Sequence, residues 1–169
     1  MDILLVDGYN MIGAWPELKR LKTEDLEGAR DLLIAKMAEY QAYTGYRVIV
    51  VFDAHLVPGI QQIYQQHDVT VIYTNENETA DEKIEALVKE LKDVTTQIYV
   101  ATSDYAEQKM IFGQGALRKS ARELLIEMEK IEKNIAQNIE ANYTKKRQSK
   151  IRLSPEVQEK FEKMRRGLI

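Results

Sequence analysis

The chain has 169 residues, 44% of them hydrophobic and 30% charged, with a net charge of −3. That is the length of one domain with enough apolar surface for a core, which excludes an intrinsically disordered chain. There is no cysteine, which excludes disulfide frameworks, cysteine-ligated zinc, iron–sulfur clusters and thiol catalysis.

The elements alternate along the chain. Ile3 to Val6 is a short apolar strand followed by a turn. Leu26, Ala29, Leu33, Met37 and Tyr40 recur at helical spacing. Arg47 to Phe52 is β-branched and apolar throughout, as a strand covered on both faces should be. Val69 to Tyr73 is a further strand, and Ala80, Ile84, Leu87, Val88 and Leu91 mark an amphipathic helix. Gln97 to Ala101 follows as a fourth strand, then a short helix from Ser103 or Asp104 to about Gly113, and a last strand near Leu117. A long helix with one apolar face runs from Ala121 to Ala141. Tyr143 to Leu153 shows no clear period, and Ser154-Pro155-Glu156 opens a terminal helix that stops at Gly167. No apolar run approaches the roughly 20 residues that span a bilayer, and the first residues do not have the pattern of a secretory signal. A cytoplasmic protein is expected, with no membrane contact.

Strands alternating with helices predict an α/β chain: a three-layer α/β/α sandwich around a mainly parallel sheet. Ligands of such sheets gather beyond the carboxyl ends of the strands. Those ends carry acids. The first strand ends in Asp7-Gly8-Tyr9-Asn10, the second in Asp53, and the fourth is followed by Thr102-Ser103-Asp104. The helix before the fourth strand opens with Glu78-Thr79-Ala80-Asp81. Carboxylates gathered on one edge repel one another, at about 1 kcal/mol per pair at ~4 Å even in water. A hard divalent cation such as Mg²⁺, which takes oxygen ligands, offsets that repulsion. With one or two such ions, carboxylates can position a water for in-line attack on a phosphodiester. Each acid alone also has a purely structural explanation. Thr79 to Glu82 matches a capping box with Asp81 in the first turn, Asp104 suits a cap, Asp7 suits a turn with Gly8, and Asp53 an ordinary strand end.

Charge is unevenly distributed. Residues 143–169 hold nine basic and three acidic side chains, a net of +6, leaving −9 for the rest. Such a split points to a polyanion partner at one end, against the alternative of a merely solvated helix. Gly113-Gln114-Gly115 reads as a turn, and no phosphate-binding G-x-x-x-x-G-K-[ST] motif is present, so no nucleotide cofactor is expected. His55, the histidine near Asp53, reads as a surface residue; Tyr9 and Tyr105 flank two acids and suit either base stacking or ordinary packing. A receiver-like phosphotransfer domain is disfavoured, because Asp7 is followed by Gly8 rather than a second acid.

The segments ILLVDGYNMIGAW, VIVVFDA, ETADEKIEALV and YVATSDYAEQ, with GALRKSARELL beyond them, resemble the YacP-like NYN-domain family of PIN-like ribonucleases. The resemblance covers nearly the whole chain. It implies a PIN-like fold and Mg²⁺- or Mn²⁺-dependent endonucleolytic cleavage of messenger RNA in association with the translating ribosome. It makes Asp7, Asp81 and Asp104 the catalytic metal ligands. Asn10 becomes a residue that orients the first loop or contacts the metal or phosphate, and Asp53 an outer member of the site. The nuclease domain is expected over residues 1–142, with 143–169 as a basic segment and helix on the same domain. Lys145, Lys146, Arg147, Lys150 and Arg152 would bind RNA or the ribosome. The alternative is a non-catalytic RNA- or ribosome-binding module.

Overall fold

A computed structural model describes residues 1–54, 62–103 and 114–151, together with 159–160, 163–165 and 167; residues 62–65 and 147–151 are described in their backbone only. The elements in order are β1 (Asp2–Asp7), α1 (Gly8–Ala14), α2 (Pro16–Lys22), α3 (Leu26–Thr44), β2 (Arg47–Phe52), β3 (Gln62–Gln66), β4 (Val69–Tyr73), α4 (Ala80–Leu91), β5 (Gln97–Ala101), β6 (Leu117–Lys119) and α5 (Ala121–Ile151). The strands form one sheet in the order β3-β4-β2-β1-β5-β6. All neighbours run parallel except β3, which pairs antiparallel with β4 at one edge. The chain divides into two compact units, residues 1–131 and 132–169.

The first unit is a covered sheet. Along β1, Ile3 and Leu5 join Ile49, Val51, Ile72, Ile98 and Val100 under α4, whose Ala80, Ile84, Leu87 and Val88 face them. Alternation sends Leu4 and Val6 to the opposite face, where they too are fully buried. α3 packs there against β2 and β4. Each such buried aliphatic side chain contributes about 1.5–3 kcal/mol. Two polar ties fasten the start of α5 into this unit. Trp15, 1% exposed at the joint of α1 and α2, donates its indole N–H to the Ala121 carbonyl at 2.8 Å. Lys119 Nζ donates to both oxygens of Glu127 at 2.8 and 2.9 Å, while the Tyr40 hydroxyl donates to Glu127 at 2.9 Å. Lys119 also lies over the Tyr99 ring, 5.1 Å from its centroid. Burial first, and then the Glu127 carboxylate, push the Tyr40 phenol far above its ordinary range.

Three expectations change. The segment after β1 is helical rather than a turn: α1 and α2 bury Met11, Ile12, Trp15 and Leu18, and that burial outweighs the poor helix propensity of Gly8 and Gly13. β3 is an additional strand. Its hairpin to β4 turns at His67 and Asp68, both at positive φ (53° and 68°), which is the conformation a two-residue hairpin needs without the glycine that usually signals it. The helix expected to end at Ala141 continues to Ile151, through residues where charge leaves no apolar period to read. The expected helix from Ser103 or Asp104 and the Ser154-Pro155 helix start lie largely outside the described residues. No helix among the described residues is long and apolar enough to cross a membrane.

α1 leaves β1 directly across the ring of Phe52. A Cβ on Gly8 would overlap that ring, so the position demands glycine by proximity rather than by backbone angle. Phe52 is fully buried, with the rings of Tyr9 and Tyr73 5.0 and 5.4 Å away, centroid to centroid, and has little room to yield. Gly8→Ala is therefore expected to destabilise the protein by about 1–3 kcal/mol, measured by urea denaturation. Glu127→Ala strands Lys119, whose side chain is 12% exposed, and should cost on the order of 2 kcal/mol in the same assay. Lys119→Met combined with Glu127→Leu should recover part of that loss, since an apolar pair leaves no buried charge.

Candidate active site

The parallel register brings the expected residues to one edge. Asp7, the last residue of β1, is paired with Val51, so Asp53 lies two residues beyond that level on the adjoining strand end. On the other side Val6 is paired with Ala101, which sets Asp7 level with Thr102 and one residue short of Ser103. Asp7 occupies the N-cap position of α1, yet its side chain makes no capping bond there, so helix capping does not account for it. It is 9% exposed, one of four buried polar or charged side chains among the described residues.

Three local devices hold the edge in place. The Asn10 Oδ1 accepts from the Ser103 backbone N–H at 2.9 Å, tying the first turn of α1 to the chain leaving β5. The fully buried Thr74 brackets Asp53: its N–H donates to the Phe52 carbonyl at 3.0 Å, and its hydroxyl oxygen accepts from the Ala54 N–H at 2.9 Å. Asp53 Oδ2 then accepts from the Ala80 N–H at 3.4 Å, joining the end of β2 to the start of α4. Thr79 caps α4 by accepting from the Glu82 N–H at 3.2 Å, as its spacing suggests, and Asp81 stands half-buried in the first turn. Asp7, Asp53 and Asn10 thus share the edge with the helix start that carries Asp81. Asp104 lies outside the described residues, as do His55 and Tyr105.

Two further features belong to this edge that sequence reasoning passed over. Glu78, just before α4, has a buried Oε1 with no hydrogen-bond partner among the described residues, an expensive state for a carboxylate oxygen. Arg30, on α3, donates to the Tyr9 hydroxyl at 3.2 Å. Burial pushes the Tyr9 phenol above its ordinary range, outweighing the opposite pull of Arg30, and the nearby Tyr73 and Asp53 raise it further. Neither residue has a motif: Glu78 looks like part of the helix entrance, and Arg30 like one of many helix-surface cations. Among the described residues no three acidic or histidine side chains stand together so that they could hold a metal ion.

The basic residues belong to the second unit and the helix leading into it. Lys145 and Lys146 are exposed on α5, in company with the exposed apolar side chains of Ile139 and Tyr143. Arg147 and Lys150 continue the same helix, and Arg152 lies outside the described residues.

Comparison with known proteins agrees with this architecture. The chain is 64% identical over 167 residues to the YacP protein of Bacillus subtilis (strain 168), covering 99% of this chain and 98% of that protein. The crystal structure of Rae1 (YacP) from Bacillus subtilis matches with a TM-score of 0.78 at 64% identity, over 99% of this chain and 96% of that one. The crystal structure of a tryptophan-to-leucine mutant of Rae1 matches with a TM-score of 0.76 at 63% identity, over 84% of this chain and 83% of that one. The model of the YacP-like NYN domain spans residues 4–166, and the chain belongs to that family.

Proposed function

We propose that the protein is a metal-dependent endoribonuclease that cuts messenger RNA on the translating ribosome in the cytoplasm. Membership of the NYN family supports a nuclease-like, RNA-related role. The observation that carries the finer reading is the sharing of one sheet edge by Asp7, Asp53, Asn10 and the Asp81-bearing start of α4. In this reading Asp7, Asp81 and Asp104 hold Mg²⁺ or Mn²⁺. The donors are carboxylate oxygens, which suit a hard cation, and the Glu78 oxygen that has no partner among the described residues adds one more anionic group beside α4. A bound cation would supply Lewis-acid polarisation of the phosphodiester and a readily deprotonated water.

The chain's own residues have separate tasks. Asp7 presents its carboxylate from a strand end held on both sides by hydrogen-bonded neighbours, so it need not be reorganised during reaction. Asn10 fixes the approach of the β5 exit to α1 through Ser103. Asp53 is partly engaged by the Ala80 N–H, which suits a residue that orients α4 rather than one that meets substrate. Hydrolysis in this arrangement leaves a 5′ phosphate and a 3′ hydroxyl. The exposed Lys145 and Lys146, with Arg147, Lys150 and Arg152, would attract RNA backbone, of the message or of the ribosome. An RNA- or ribosome-binding module without catalysis is the competing reading, and metal-dependent cleavage separates the two.

Cleavage of RNA by the purified protein, with and without translating ribosomes, is expected with Mg²⁺ or Mn²⁺ and not with EDTA. Asp7→Asn and Asp81→Asn should each lower it by at least about 10²-fold. Asp7→Asn should leave the thermal midpoint at or above that of the wild type, because one repelling charge is gone. A folded Asp7→Asn protein with full activity would remove Asp7 from the mechanism. Replacing Lys145, Lys146 and Arg147 by Gln should weaken ribosome association more at low salt than at high salt, reducing the slope of log K against log[salt] by about 2. Sedimentation with ribosomes across a salt series checks this, and equal association at every salt would refute it.

A further inference from the structure

We infer that Arg30 and Tyr9 together form a phosphate-binding subsite of the nuclease, holding one phosphodiester group of a single-stranded RNA beside the acidic edge. This rests on the endoribonuclease reading and names the residues by which a polyanion tolerates an edge rich in carboxylates.

The geometry is that of a two-donor cradle. Arg30 spends one guanidinium nitrogen on the Tyr9 hydroxyl, at 3.2 Å, and makes no ion pair with a carboxylate among the described residues. A guanidinium has five N–H donors in a planar fork, so most of them have no acceptor among the described residues. The Tyr9 oxygen accepts from Arg30, which leaves its own proton with no acceptor among the described residues. Two adjacent donors, one charged, therefore have no acceptor among the described residues, and an oxyanion fits them both.

The surroundings fix this pair next to the proposed chemistry. Tyr9 is two residues beyond Asp7, its ring rests against Phe52, and Asp53 follows Phe52 directly. Phe52 is in turn stacked on Tyr73, and both Tyr9 and Tyr73 interact electrostatically with Arg30. Arg30 thus projects from α3 to the hydroxyl of Tyr9, whose ring is the first of three in mutual contact at the ends of β1, β2 and β4. A surface arginine with a structural task looks different: Arg118, near the same edge, directs its Nε to the Thr102 carbonyl at 3.3 Å and closes a backbone contact. The Glu27 carboxylate is also felt by Arg30 along α3, but it is not within ion-pair distance.

The test uses the full chain and a fluorescein-labelled single-stranded RNA oligonucleotide. Binding is read by anisotropy across a salt series in EDTA, and cleavage by kinetics with Mn²⁺, for the wild type, Arg30→Ala, Arg30→Lys and Tyr9→Phe. Arg30→Ala should weaken binding and raise KM on the order of tenfold, change kcat less than about threefold, and reduce the salt slope by about 0.7, the value for one lost contact to a single strand. Arg30→Lys should restore the slope while recovering only part of the affinity, and Tyr9→Phe should lose about threefold in affinity with the slope unchanged. A purely structural arginine would shift the melting temperature without altering the slope. If the wild type cleaves, Asp7→Asn does not, and Arg30→Ala and Arg30→Lys both keep the wild-type KM and slope, the subsite is wrong and the nuclease reading stands. If the wild type binds the oligonucleotide with the Arg30-dependent slope but cleaves neither it nor a message on translating ribosomes, the subsite stands and the nuclease reading fails. If Arg30→Ala does not fold, the Arg30→Lys and Tyr9→Phe affinities decide, and wild-type values for both overturn the inference.

Discussion

The central strand β1 has a hydrogen-bonded neighbour on each side and a helical layer over each face. No unpaired charge can be placed in the middle of such a strand, because a side chain on either face enters the core, where such a charge is prohibitively expensive. Ile3, Leu4, Leu5 and Val6 obey this limit, and the two acids of β1, Asp2 and Asp7, stand at its ends. The same limit applies to β2, where the apolar run ends at Phe52 and the acid follows. Chemistry in this fold is confined to strand exits because the rest of each strand is committed to packing. Parallel pairing then brings the exits to a common edge.

Gathering acids there has an electrostatic cost, and the structure offsets it locally in several ways. Asp53 accepts from the first amide of α4, Thr79 caps the same helix, and Arg30 places a positive charge at the Tyr9 hydroxyl, two residues from Asp7. The edge is held by the backbone as much as by side chains: the Thr74 bonds on either side of Asp53 and the Asn10 bond to Ser103 leave the exits of β2 and β5 little freedom. Rigid support of this kind is what a site needs when it must meet a substrate with its charges already placed.

Much of this was legible in the residue pattern, and the failures have specific physical origins. β1, β2, β4, β5 and α4 are readable because both-face burial demands unbroken apolar runs and one-face burial demands a helical period. β6 was readable only near Leu117, since three residues carry little pattern. α1 was not, because its two glycines argue against a helix and only tertiary burial of Met11 and Ile12 reverses that. β3 was hidden because His67 and Asp68 make their turn at positive φ without glycine. The last third of α5 was hidden because its run of charged and polar residues carries no apolar period. The acidic edge followed from topology, whereas Thr74, Glu78 and Arg30 depend on long-range contacts that no local spacing encodes.

The β3–β4 hairpin also bears on the order in which the sheet can assemble. Residues paired across it are at most 11 positions apart, whereas those paired between β1 and β5 are 95 apart. In an otherwise unstructured chain the entropy of closing the longer loop exceeds that of the shorter by about 2 kcal/mol. The hairpin can therefore close early and occupy the outer side of β4 before the central strands find each other. During the slow search for the long-range pairs, β4 would then offer another chain only the edge that later pairs with β2. The short antiparallel strand thus guards the sheet's assembly, at the side where a purely parallel sheet would end in β4.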